Sequence, residues 1–135
     1  MRARDALGRP VRPESPDAVE PPPEEPLPAA EAVRTARALL AQGRAFSAHE
    51  VFEASWKAAP AAERDLWQGL AQVCVGLTHL QRGNAVGART LLLRGAMRLA
   101  DTAPAYGVDV PQVRADALAL AGAVAAGATT GSIEL

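Results

Sequence analysis

The chain has a single cysteine, Cys74, so no intramolecular disulfide framework can hold it, and a reducing compartment suits it. It has almost no surplus charge. A formal net charge of −1 argues against a partner such as nucleic acid or an anionic membrane being held by bulk electrostatics. Long apolar runs are missing as well: the longest, Ala117 to Ala128, is too short and too rich in Gly and Ala to span a bilayer. The opening M-R-A-R-D-A-L-G-R-P has basic residues with no apolar stretch behind them, unlike a secretory signal. These absences lead to the expectation of a cytoplasmic protein with neither a membrane nor a nucleic-acid partner.

Proline is scarce everywhere except at the start. Residues 1–28 hold eight of the eleven prolines, mixed with charges and almost no large apolar side chains. Such a segment buries too little to offset its ordering entropy, so a disordered Pro-rich tail is expected there. Residues 29–127 carry the helical periodicity, and the last residues, 128–135, read as a frayed end.

Five helices follow from the pattern. The first spans Glu31 to Gln42 with Val33, Ala36, Leu39 and Leu40 on one face, and Gly43 stops it. In the second, Ser47 and Glu50 form a capping-box signature, placing its start at Ser47, and it ends before Pro60. The third runs from about Ala61 to Arg82 and is apolar around most of its circumference, as a central helix should be. Asn84 caps the fourth, which buries Ala88, Leu91, Leu92, Gly95 and Leu99. Its Leu93 and Met97 lie almost opposite that stripe, so they require cover from the fifth helix or from a second copy of the chain, making a homo-oligomer a candidate. Pro111 opens the fifth helix. Gly43, Ala48 and Phe52 are echoed forty positions later by Gly83, Ala88 and Leu92, each set marking a helix, a tight turn and a second helix packed through a small residue. The expected fold is all-α, two antiparallel helical hairpins plus a closing C-terminal helix.

The chemistry concentrates in F-S-A-H-E-V-F-E-A-S-W, Phe46 to Trp56. At about 100° per residue, His49, Glu53 and Trp56 fall within roughly 60° of one another, with Val51 on the far side. That places a histidine and a carboxylate inward and a large apolar residue outward. On the third helix Gln68, Gln72 and His79 form a second polar stripe. A short linker should set the two stripes face to face, Glu53 level with Gln68 and His49 level with Gln72. The favoured reading is a satisfied buried network fixing the register of the two helices and leaving room for a small ligand. A competing reading is a divalent-metal site on His49 and Glu53, with a third ligand from Glu50, His79 or a glutamine. A third makes Glu53 a general acid or base with His49 as its partner. No nucleophile accompanies the motif, so no reaction is assigned. Cys74 reads as a core residue, and Arg82, Arg89, Arg94 and Arg98 as a solvated face.

The segments H-E-V-F-E-A-S-W, W-Q-G-L-A-Q and T-H-L-Q-R-G-N-A-V-G-A resemble a small bacterial and archaeal helical family, domain of unknown function 309, over roughly residues 32–124. Its recurring H-x-x-x-E-x-x-W maps onto His49, Glu53 and Trp56, and its Q-G-L and G-N elements onto Gln68, Gly69, Leu70, Gly83 and Asn84. The resemblance implies an all-α fold and a metal-binding role for the motif. It supplies no activity, so the expected function is that of a binding or scaffold module for a protein or small ligand, with a metal-binding protein or metal-dependent enzyme as the alternative.

Overall fold

In the computed structural model, which describes residues 3–135, the helical core is built by α1 (Ala29–Ala41), α2 (Ala45–Ala58), α3 (Arg64–Gln81), α4 (Ala85–Arg98) and α5 (Val110–Ala125). Each helix packs on the next, and α3 lies between α2 and α4. The fold is all-α, as expected, with a small antiparallel hairpin of β1 (Ala3–Arg4) and β2 (Pro10–Val11) before it. Among the described residues no helix is long and apolar enough to cross a membrane.

The two helical hairpins share one turn. After α1, Gly43 N–H donates to the Leu40 carbonyl at 3.0 Å and Arg44 N–H to the Leu39 carbonyl at 2.9 Å. After α3, Gly83 N–H donates to Leu80 at 3.0 Å and Asn84 N–H to His79 at 2.8 Å. Both are Schellman caps, and both glycines hold the left-handed φ that the cap requires, +72° and +78°. The small residue five positions on, Ala48 or Ala88, is fully buried in each copy, as are Phe52 and Leu92. The forty-residue echo is thus a repeated packing solution.

Small residues also set how near α3 and α4 lie. A Cβ on Gly76 would stand 2.8 Å from Leu92 Cγ, and one on Gly69 2.6 Å from Leu99 Cγ. Val33, Phe52, Leu70, Val73, Leu92, Leu99, Val110 and Val113 fill the single main core. Cys74 is buried among them, and burial pushes its thiol up to about 12. Asn84 caps α4 as expected, its side-chain oxygen accepting from Gly87 N–H at 2.9 Å, and Asp109 caps α5 through Gln112 N–H at 3.2 Å.

Several expectations are corrected. The α2 helix starts at Ala45, with Arg44 at the cap position and no side-chain cap. The Schellman turn delivers the chain directly into helical geometry, so Ser47 already lies in the first turn. It is buried and accepts a hydrogen bond from the Arg44 guanidinium at 3.2 Å instead of capping with Glu50. The inward face is also the other one. Val51 is 3% exposed and packs with Ala45, Ala48, Phe52 and Ser55, whereas His49, Glu50 and Glu53 are only partly covered. Because α2 is flanked by α1 and α3, a wide apolar arc is consumed and the polar stripe turns away from both. On α4, Leu93 is half-buried against the core while Met97 stays 76% exposed, so α5 does not cover it.

The terminal segments carry more structure than composition suggests. Asp5 closes the β-hairpin by accepting from Leu7 N–H, Arg9 N–H and Arg9 Nε at 3.0, 2.8 and 2.9 Å. Burial opposes the charge on Asp5, but these bonds and the Arg9 guanidinium outweigh it and hold its carboxyl below the usual range. At the other end Ile133 is buried in the core, and the Arg37 guanidinium donates to the Leu135 and Gly107 carbonyls, each at 3.1 Å.

Candidate functional site

The polar stripe of α2 forms one wall of a groove of about 780 Å³ whose other wall is the N-terminal segment, residues 3–5 and 18–24 with Pro13. Phe46 anchors its end. The Arg4 guanidinium stands 4.8 Å from the Phe46 ring centroid and that of Arg82 5.8 Å, while Gly8 lies directly against the ring. Two further bonds tie the segment down: Arg44 donates to the Glu20 carbonyl at 2.6 Å, and Arg82 to the Leu7 carbonyl at 2.9 Å.

On the α2 wall, His49 Nε2 lies 2.9 Å from Glu53 Oε2, and Lys57 Nζ lies 3.3 Å from Glu53 Oε1. His49 Nδ1 is 3.3 Å from the Phe46 carbonyl, one turn back. Both imidazole nitrogens therefore face acceptor oxygens, an arrangement that suits a doubly protonated ring. Burial works against that charge and lowers the His49 pKa, with the Glu53 carboxylate pulling the other way. Glu50, next along the wall, has its carboxyl raised above the ordinary value by burial, with Arg4 opposing the shift.

The structure brings His49, Glu50 and Glu53 together. It does not bring the α3 stripe to them. Gln72 lines a separate cavity toward α4, where its side-chain oxygen is buried without a hydrogen-bond partner. Gln68 is half-buried and lines neither cavity, and Trp56 packs its ring against the core. His79 sits at the α3–α4 turn, its Nδ1 3.2 Å from Asn84 Nδ2. The expected register does not form because α2 buries Ala48, Val51 and Phe52 instead of its His/Glu face, and Phe52 meets Trp67 of α3 with ring centroids 6.0 Å apart.

A cluster that the sequence reading missed lies where α3 begins. Glu63 accepts from Trp67 Nε1 at 3.3 Å and from the Tyr106 hydroxyl at 2.8 Å, and the Trp67 and Tyr106 rings stack with centroids 5.6 Å apart. The Glu63–Trp67 half is visible as an i, i+4 pair. Tyr106, more than forty residues on, leaves no local signal.

His49 and Glu53 supply two metal donors. Among the described residues no group of three His, Cys, Asp or Glu side chains is placed to share an ion, whereas a zinc site takes three or four protein ligands. The donor set thus does not fit a transition metal. A comparison with curated proteins found no match, and neither did one with solved structures. The model of the family described as Domain of unknown function (DUF309) matches residues 33–91, a span holding His49, Glu53, Trp56 and both glycine turns but neither α5 nor the N-terminal segment, so this stretch, somewhat under half of the chain, is similar to that family.

Proposed function

We propose that this chain is a small helical binding module and that the groove on α2 recognises a cationic group, an ammonium or guanidinium, on a partner protein or small ligand. The observation that carries the reading is Glu50. Its half-buried carboxylate lies on the groove wall and makes no ion pair or side-chain hydrogen bond among the described residues, while neighbouring Glu53 is already engaged by His49 and Lys57. The wider lining points the same way, because Asp5, Glu20, Glu24, Glu50 and Glu53 outnumber Arg4 and Lys57. An incoming cation relieves the cost of holding that carboxylate out of water, and a charge-assisted bond of this kind is worth about 1.5–3 kcal/mol.

The test is an NMR titration of the full chain with lysine- and arginine-bearing peptides. Shifts on Phe46–Lys57 and residues 18–24 are expected, with affinity at least about tenfold weaker in Glu50→Gln. Absence of any shift on that face, or unchanged affinity in the variant, refutes the proposal. Parallel melts of the wild type with and without chelator address the metal alternative, for which a lower Tm on chelation is the required result.

A further inference from the structure

The N-terminal hairpin, residues 3–11, is organised by bonds of its own. Asp5 closes its turn, and Arg4 Nη1 donates to the Gly8 carbonyl at 2.7 Å. Only Asp5 and Gly8 are buried in it, and none of its side chains joins the helical core. It rests on the helices through Arg82, which donates to the Leu7 carbonyl at 2.9 Å, and through the Phe46 ring, which Gly8 touches and over which Arg4 stands at 4.8 Å. Gly8 holds φ +79° there, with no space for a Cβ between it and the ring. A guanidinium thus covers the aromatic end of the groove, one helical turn from Glu50. Its bond to Gly8 ties it to the hairpin, and among the described residues it forms no ion pair with that carboxylate.

We propose that Arg4 is an internal occupant of the groove: it holds the place over Phe46 that an arginine of the partner takes, and the hairpin lifts when the partner binds. This displacement rests on the groove being a site for cations, and it narrows the cation to a guanidinium, the planar group that the ring already carries. A partner's arginine has an advantage over Arg4, because it is free to stack on Phe46 and reach Glu50 together. Lifting costs the Arg82 bond, the Val19 N–H bond to the Arg4 carbonyl at 2.9 Å and the Phe46 contacts, and it takes no apolar side chain out of the core. Residues 18–24 stay in place, because Arg44 holds the Glu20 carbonyl at 2.6 Å. The opened groove therefore keeps Glu20, Glu24, Glu50 and Glu53 and loses the cation that stood over Phe46.

The experiment is an NMR titration of the full chain and of its Gly8→Ala variant with the terminally blocked tripeptides Gly-Arg-Gly and Gly-Lys-Gly. The methyl group of Gly8→Ala has no space against Phe46 and meets an unfavourable backbone angle, so it lifts the hairpin without changing a charge. The far-ultraviolet helix signal should stay that of the wild type. Gly-Arg-Gly should bind the variant at least about threefold more tightly than the wild type, because the internal competitor has gone. It should also bind the wild type at least about threefold more tightly than Gly-Lys-Gly does. Arg4→Gln, which leaves the Gly8 turn unstrained, should show the same gain as Gly8→Ala. In the wild type, cross-relaxation between Gly8 and the Phe46 ring should vanish at saturation, with shifts reaching residues 3–11. Gly-Arg-Gly binding that leaves this contact in place overturns the displacement while the cation site stands, and so does the absence of a gain in both variants. Equal affinity for the two tripeptides overturns the choice of a guanidinium. Binding of neither tripeptide to any of the three proteins overturns the cation site and the displacement together.

Discussion

Replacing Gly95 by alanine adds one methyl group where α4 lies against α3. That carbon would stand 2.7 Å from Val73 Cγ2, 2.9 Å from the Gly69 carbonyl oxygen and 3.0 Å from the Val73 backbone nitrogen. The valine methyl can turn aside, but the two backbone atoms cannot, so α4 has to move off α3 and loosen the packing around Leu92 and Leu99. Overpacking of this kind costs about 1–3 kcal/mol. Against it stands the gain in helix propensity from Gly to Ala, about 1 kcal/mol. Gly122 in α5 isolates that gain, because nothing lies within 4 Å of the place its Cβ would take. The propensity contribution cancels between the two variants, leaving the clash alone. Gly122→Ala should be more stable than the wild type and Gly95→Ala less stable than Gly122→Ala by about 1–3 kcal/mol, which is at least about 4 °C in Tm. Thermal and urea melts of the pair measure it. A Gly95→Ala variant as stable as Gly122→Ala refutes the close approach of the two helices.

His49 and Glu50 should pull stability in opposite directions on acidification. His49, lowered in the fold, leaves the unfolded chain binding the extra proton as pH falls below about 6.5, so stability drops there; Glu50, raised in the fold, binds its proton first in the native state and adds stability as pH falls toward its unfolded value. Urea melts from pH 7.5 to 5 should show a downward slope in the wild type that His49→Gln loses, and an unchanged slope in the variant removes His49 as its source. Cys74, with its thiol pushed up to about 12, should react with a disulfide reagent only as fast as the chain opens, so that denaturant accelerates labelling steeply; rapid labelling of the native protein contradicts the buried position.

Much of the architecture was legible because it rests on local rules. A glycine at the end of a helical pattern, followed five positions on by a small residue inside the next one, suits a Schellman turn and a close hairpin, so Gly43 with Ala48 and Gly83 with Ala88 announced both hairpins. Asn84 announced its cap, and the apolar circumference of α3 its central place. The rotation of a helix about its own axis is not local. It depends on which neighbours compete for each face, and on α2, flanked by α1 and α3, burial of Ala48, Val51 and Phe52 leaves His49 and Glu53 only partly covered, against the angular reading that places these two inside. The same holds for groups joined across long sequence separations: Tyr106 on Glu63, Arg37 on the C-terminal carbonyl, and the N-terminal hairpin on Phe46. Sequence alone determined the five helices, the cap on α4 and the two glycine turns, because each is set within one or two turns of chain, whereas the start of α2 was set by the turn that delivers the chain into it. Only the tertiary structure decided which polar groups share a cavity, because that is settled by how whole helices divide a limited apolar surface among themselves.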